Sequence, residues 1–460
     1  MKKIIKILSF FYLVTILISK TNIKAEMVPF NLGEVKIHHK KQIIPLELAG
    51  VLSVSENEGE IPIVFIIPDI NVTQDTMQRY YGFLNELTEV PALGVLLDLS
   101  PLNEIKGVDE DLIATIFDYY RFFLNRAVQG ESLAFGRDLF NKGDFSKVII
   151  LGCGESVDGV YRSIEKLHEK QMSFAGAMLI DPRRSKEVPN IQLPDIPTTI
   201  VLPYTLLQKN AISLSLFEAN RKEKNRQSMT SMIYVQQDTD LMNASELEYI
   251  QFVNKYALSY IQNLFQETSE MIGFSALETA PQTLFDTTIK SSLSVPEALV
   301  ILNPRKEKNP HLNVLGGNNR FINLSLNHYR GLVDTYKLNW ENKASRLEIE
   351  LPEEYRDISS FHALSLYINY HNERNQPLSF IIEFCDMEGQ SQQVEIENMQ
   401  PLNYISGTAI PFYNERVVLK ELMKVDTTSI RYINLIFKEM NNGELNIGDI
   451  SLIKGPKCEN

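Results

Sequence analysis

Between residues 60 and 265 short apolar runs alternate with amphipathic stretches, and this alternation restricts the fold more than any other feature. Strands are expected at 61–67, 93–98, 147–152, 174–180, 198–203 and 231–236. Several are apolar throughout, as strands buried on both faces must be. Helices are expected at 109–126, 160–170 and 247–264. In the last, apolar residues at 247, 250, 253, 257, 261 and 264 make one buried stripe. Strand–helix alternation of this kind gives a doubly wound, mostly parallel α/β sheet with helices on both sides.

The pattern changes near residue 270. Prolines at 281, 296, 304 and 310 mark residues 271–312 as a linker or irregular wrap. From residue 313 the period becomes two, with Leu364, Leu366, Ile368 and Tyr370, and again Ile433, Leu435 and Phe437, read as alternating with polar residues. Asn442-Gly443 is a hairpin turn signal, and Gly448-Asp449 breaks the phase of the last strand as a bulge does. Residues 313–460 are therefore expected to form an antiparallel, jelly-roll-like β-sandwich.

Residues 1–25 have the charged start, short apolar core and small final residue (Ala25) of a signal peptide; a retained membrane anchor is the other reading. Cleavage after Ala25 leaves residues 26–270 as the α/β domain and predicts export to an extracellular or periplasmic space, with no membrane span remaining. It also moves the formal charge from −13 to −18, because the segment holds five lysines and no acid. A chain so acidic is repelled by nucleic acid. Three cysteines, Cys153, Cys385 and Cys458, are too few for a disulfide framework; whether Cys385 and Cys458 pair is left open.

The strand at 147–152 runs into Cys153-Gly154-Glu155-Ser156-Val157-Asp158-Gly159 and then a helix. A serine on a strand-to-helix turn is a nucleophile elbow, which makes Ser156 the candidate nucleophile and the Val157 N–H an oxyanion donor. Gly154 supplies the small residue two places before the serine, but Asp158 stands two places after it and Gly159 comes one late. With Pro68-Asp69 after the first strand, and Leu315-Gly316-Gly317, Leu338-Asn339-Trp340 and Asp357-Ile358-Ser359 farther on, nearly all of the mature chain resembles secreted bacterial α/β-hydrolases of the platelet-activating-factor acetylhydrolase and polyester-hydrolase type, fused to a C-terminal β-sandwich. The resemblance implies a carboxylic-ester hydrolase fold, lipid-like or polyester substrates, and no cofactor or metal. The sandwich resembles carbohydrate-binding modules, which implies a glycan as partner.

Several requirements of that chemistry are missing. The resemblance places the catalytic histidine after the last strand, in residues 236–245, where Thr239 is the nearest match. The seven histidines are at 38, 39, 168, 311, 328, 362 and 371, so none can serve there and no base is identified. The loop expected to hold the acid, residues 204–209, has no carboxylate; Asp181 is the nearest substitute, and its other reading is a turn residue before Pro182. Pro68 has no N–H to give, and Asp69 would oppose a developing oxyanion by roughly 3 kcal/mol at ~6 Å.

Other groupings have structural readings. His38 and His39 are adjacent on a strand and face opposite sides. Asp109-Glu110-Asp111 suits a helix start, Asp238 and Asp240 are too few for calcium, and Trp340 reads as core. Two functional readings remain: a non-catalytic binding or structural protein on a hydrolase scaffold, and an esterase using Ser156 with an unusual base.

Overall fold

The computed structural model describes residues 26–55, 60–70, 74–88, 90–132, 134–169, 174–183, 195–203, 217–218, 221, 228–235, 242–265, 283–295, 298–304, 312–313, 322–329, 333–340, 345–372, 376–399, 412–437 and 444–454. The segment 1–25 read as a signal peptide, the loops at 204–209 and 236–241 with Thr239, the expected turn at Asn442-Gly443 and Cys458 lie outside them. Contacts divide the chain into two units, Met1–Val201 with Asp238–Thr268, and Leu202–Gln237 with Ser269–Asn460.

The first unit contains, in chain order, β1 (Glu26–His39), β2 (Gln42–Val54), β3 (Ile61–Ile67), α1 (Gln74–Leu87), β4 (Leu93–Leu97), α2 (Glu110–Val128), β5 (Gly143–Cys153), α3 (Val157–Glu169), β6 (Gly176–Ile180), β7 (Thr198–Pro203) and α4 (Met242–Phe265). Its strands lie in the order β1-β2-β4-β3-β5-β6-β7. β3 pairs in parallel with β4 and β5, β5 with β6 and β6 with β7, whereas β1 and β2 are antiparallel additions at one edge. This is the mostly parallel, α/β-hydrolase-type sheet expected from the sequence. The runs expected at 61–67, 93–98, 174–180 and 198–203 lie on strands that are buried almost throughout, and that at 147–152 is buried from Val148 onward within β5. Parallel pairing brings the carboxyl ends of β3, β5 and β6 to one edge, which is where open α/β sheets place their ligand sites. Asp109 caps α2 by accepting the Leu112 N–H at 3.1 Å, and Glu110 and Asp111 occupy its first turn.

The β1–β2 hairpin has no signal of the usual kind. Its two-residue turn is Lys40-Lys41, at φ 43° and 67°, a conformation that asparagine and glycine normally fill.

The second unit contains β8 (Thr230–Val235), β9 (Thr283–Leu284), β10 (Thr287–Ser294), β11 (Leu299–Leu302), β12 (Leu312–Asn313), β13 (Ile322–Tyr329), β14 (Val333–Trp340), β15 (Ser345–Glu350), β16 (Phe361–His371), β17 (Leu378–Asp386), β18 (Ser391–Met399), β19 (Tyr413–Val418), β20 (Ile430–Phe437) and β21 (Glu444–Lys454). β10 pairs antiparallel with β8 and β9. One antiparallel sheet has the order β13-β14-β21-β16-β19, with β11 added to β21; a second has the order β12-β15-β20-β17-β18. The indole of Trp340, on β14, stacks on Phe437 of β20 with ring centroids 4.2 Å apart, so the two sheets face each other across an apolar core. The expected bulge is present, because pairing between β16 and β21 skips Gly448.

Residues 283–302 correct one expectation. The stretch read as linker carries β9, β10 and β11. Pro281, Pro296 and Pro304 bracket these strands without interrupting any of them, which is where a residue lacking an N–H is tolerated. The period-two reading needs a smaller correction. β16 is central, and its polar residues Ser365 and Asn369 are buried along with Leu364 and Leu366.

Candidate functional site

The turn from β5 into α3 has its left-handed residue at Gly154, φ +59°. That position is the elbow, and Ser156 lies two residues beyond it. Ser156 is fully buried, and its hydroxyl is closed on the backbone. Its Oγ accepts the Cys153 N–H at 3.3 Å, and its proton lies between the carbonyls of Cys153, at 2.7 Å, and Ile67, at 3.2 Å. Cys153 and Ser156 thus form a reciprocal cap on the turn. Among the described residues no titratable side chain is hydrogen-bonded to the Ser156 hydroxyl.

The sequence admits this register. Gly152-Cys153-Gly154-Glu155-Ser156 has the small-x-centre-x-small spacing of an elbow with Gly154 at its centre. The departure at Asp158 is the visible trace of the two-residue offset. Gly159, which stood one place late for an elbow centred on Ser156, meets a packing need instead: a Cβ there would lie 2.3 Å from Ile113 on α2. With the elbow at Gly154, the oxyanion-type donor moves from Val157 to the N–H of Glu155.

That N–H is already engaged. Glu155 N donates to Asp69 Oδ1 at 3.1 Å, across from the end of β3. The other carboxylate oxygen fills the space of the missing side chain, since a Cβ on Gly154 would lie 2.1 Å from Asp69 Oδ2. Asp69 was expected to repel an oxyanion from a distance; instead its carboxylate stands where elbow side chain and oxyanion would meet. Its own N–H donates to the Tyr80 hydroxyl at 3.3 Å.

Arg183 closes the cluster. Its Nη1 is 3.6 Å from Asp69 Oδ2, its Nε donates to Asp181 Oδ2 at 2.8 Å, and its backbone N–H donates to the Gly154 carbonyl at 2.9 Å. Asp181 sits at φ +46° in the turn after β6 and accepts from this guanidinium, so its carboxylate serves the turn and the ion pair. Burial, with Asp69 and Asp181 nearby, pushes the Cys153 thiol up to about 12, which leaves no thiolate at neutral pH. Burial also holds the Tyr80 and Tyr249 hydroxyls well above the ordinary tyrosine range. Sequence reasoning missed Arg183, Tyr80 and Tyr249, which are ordinary residues until the strand ends bring them together.

The second unit has a different polar grouping. Across the five-stranded sheet, pairing places Glu348 beside Asn434, Asn434 beside Glu383 and Glu383 beside Gln393, in one row on one face. Glu383 accepts from Asn434 Nδ2 at 3.0 Å and from Gln393 Nε2 at 2.8 Å. Arg346 Nη2 lies 3.4 Å from Glu348 and 3.3 Å from Glu383. Asn434 Oδ1 and Arg346 Nε are buried without a hydrogen-bond partner among the described residues. Burial raises the Glu348 carboxyl above its usual range. Among the described residues no group of three or more histidine, cysteine, aspartate or glutamate side chains is placed to hold a metal ion, and no helix is long and apolar enough to cross a membrane.

No protein-family model matches the sequence, and no curated protein matches it. Solved structures similar to parts of the chain include a thermostable esterase, 13% identical, covering 50% of this chain and 61% of that one with a TM-score of 0.35. A family 11 carbohydrate-binding module of a cellulosomal cellulase from Clostridium thermocellum is 11% identical and covers 35% of this chain and 98% of its own, TM-score 0.27. An exo-β-agarase is 15% identical, covering 34% of this chain and 25% of its own, TM-score 0.24.

Proposed function

We propose that the chain is an exported binding protein that keeps a hydrolase-type scaffold without its nucleophile. One observation carries this reading: the elbow position is Gly154, and the Asp69 carboxylate fills the place of the absent side chain. A serine hydrolase needs an exposed hydroxyl at that turn, a base within hydrogen-bond reach and a free N–H for the oxyanion. Here the N–H of Glu155 is taken by Asp69, and Ser156 is bonded to backbone carbonyls behind the turn. The test is labelling with a fluorophosphonate. We expect no stoichiometric label on the wild-type chain and no hydrolysis of short p-nitrophenyl esters above background. Labelling that disappears in Ser156→Ala would replace this reading with the esterase acting on lipid-like or polyester substrates.

The polar row on the five-stranded sheet supports the binding half of the proposal, with a glycan as ligand. A sugar hydroxyl both donates and accepts, which suits the buried acceptor at Asn434 and donor at Arg346 that have no partner among the described residues. Residues 26–460 applied to a glycan array should be retained by at least one polysaccharide, and Asn434→Ala should weaken that retention; a blank array sinks the glycan assignment. Export is tested by N-terminal sequencing of material from the culture medium or periplasm, with Glu26 expected as first residue.

A further inference from the structure

We infer that the elbow is an anion site held shut by a tethered carboxylate, with Asp69 acting as a built-in competitor for small carboxylates. The inference rests on the reading that position 154 carries no nucleophile. The donors are in place without Asp69. The Glu155 N–H opens the helical turn that leads into α3, and the Arg183 guanidinium stands beside it, anchored by its own N–H on the Gly154 carbonyl at 2.9 Å. The carboxylate they hold belongs to the end of β3, and it reaches them by filling the volume that any side chain on Gly154 would need. Deleting that one side chain therefore leaves a carboxylate-sized space bounded by the Gly154 α-carbon, the Glu155 N–H and Arg183. A tethered ligand acts at millimolar or higher effective concentration, so free anions below that level are outcompeted while Asp69 is present. The contact is autoinhibitory in this sense: the site is complete, but its occupant is part of the chain.

Chemical rescue tests the inference. The mature chain carrying Asp69→Gly is heated in sodium acetate and in sodium chloride at equal ionic strength and pH 7. Acetate should raise its melting temperature saturably, with the half-maximal effect in the millimolar range. The wild-type chain should melt at the same temperature in both salts, and Asp69→Gly/Arg183→Gln should lose the acetate response. An Asp69→Gly chain indifferent to acetate, or a wild-type chain that responds equally, overturns the inference. If Asp69→Gly does not fold in chloride, recovery of its circular dichroism spectrum in acetate is the same readout, and Asp69→Ser provides a second vacancy. The outcome is separable from the proposed function. Wild-type labelling by fluorophosphonate defeats that reading whatever acetate does, whereas no label together with no rescue defeats only the tether.

Discussion

The polar cluster at the ends of β3, β5 and β6 and the polar row on the five-stranded sheet use the same materials, namely carboxylates, an arginine and buried hydrogen-bonding groups. They are finished in opposite ways. In the first, the Glu155 N–H, Asp69, Arg183 and Ser156 are satisfied by one another or by backbone. In the second, Asn434 Oδ1 and Arg346 Nε are buried without a hydrogen-bond partner among the described residues. Fold position alone points to the first as the working site. Hydrogen-bond accounting adds the second as a candidate, because buried polar groups without partners call for a cause, although Ser53 Oγ, Lys290 Nζ and Tyr413 OH share that state among the described residues. A closed cluster contributes order, whereas an open one retains capacity to bind.

Gly154→Ala attacks the closed cluster most directly. Its Cβ must displace the Asp69 carboxylate and adopt a left-handed conformation, so urea unfolding should show a loss of roughly 3–4 kcal/mol. Adding Asp69→Gly should return part of that loss, and a double-mutant cycle without coupling would break the picture of one side chain replacing another. At the open row the effect should be smaller. Asn434→Leu removes one bond to Glu383 and also an unsatisfied acceptor, so stability should fall by about 1 kcal/mol or less. A loss above about 3 kcal/mol would mean that this row is as closed as the other.

Two surface charges set the lower end of the scale. Asp109→Ala removes the α2 cap and should cost about 1 kcal/mol. Asp111 is held down to about 2 by its hydrogen bonds to Lys166 and Arg162 on α3. A carboxylate whose folded value is depressed adds stability above its unfolded value, near 4, and loses that stability as the pH falls toward about 2. Asp111 is half exposed, so Asp111→Asn should flatten the acid limb of the stability curve by less than about 1 kcal/mol, and less in high salt.

The apolar runs were legible because burial on both faces leaves little freedom of composition. Ile61–Ile67 and Thr198–Pro203 were located to the residue. The β1–β2 hairpin was not legible, since Lys40-Lys41 carries no turn signature and the hairpin's exposed edge tolerates polar residues. The strands β9 to β11 were hidden by prolines that mark their ends. At the site, the elbow and the hazard at Asp69 could be read, but the register could not. Ser156 drew attention because serine is the residue that reacts, whereas the residue that defines an elbow is the one with positive φ, and only backbone geometry reveals it.

The Gly154–Asp69 fit also bears on what this chain can become. Installing a serine at position 154 collides with Asp69, and removing Asp69 first takes an acceptor from the Glu155 N–H and leaves Arg183 paired with Asp181. Each single step toward a working elbow is downhill in stability before any activity can reward it. The arrangement acts as a ratchet: an elbow nucleophile at position 154 needs two changes made together.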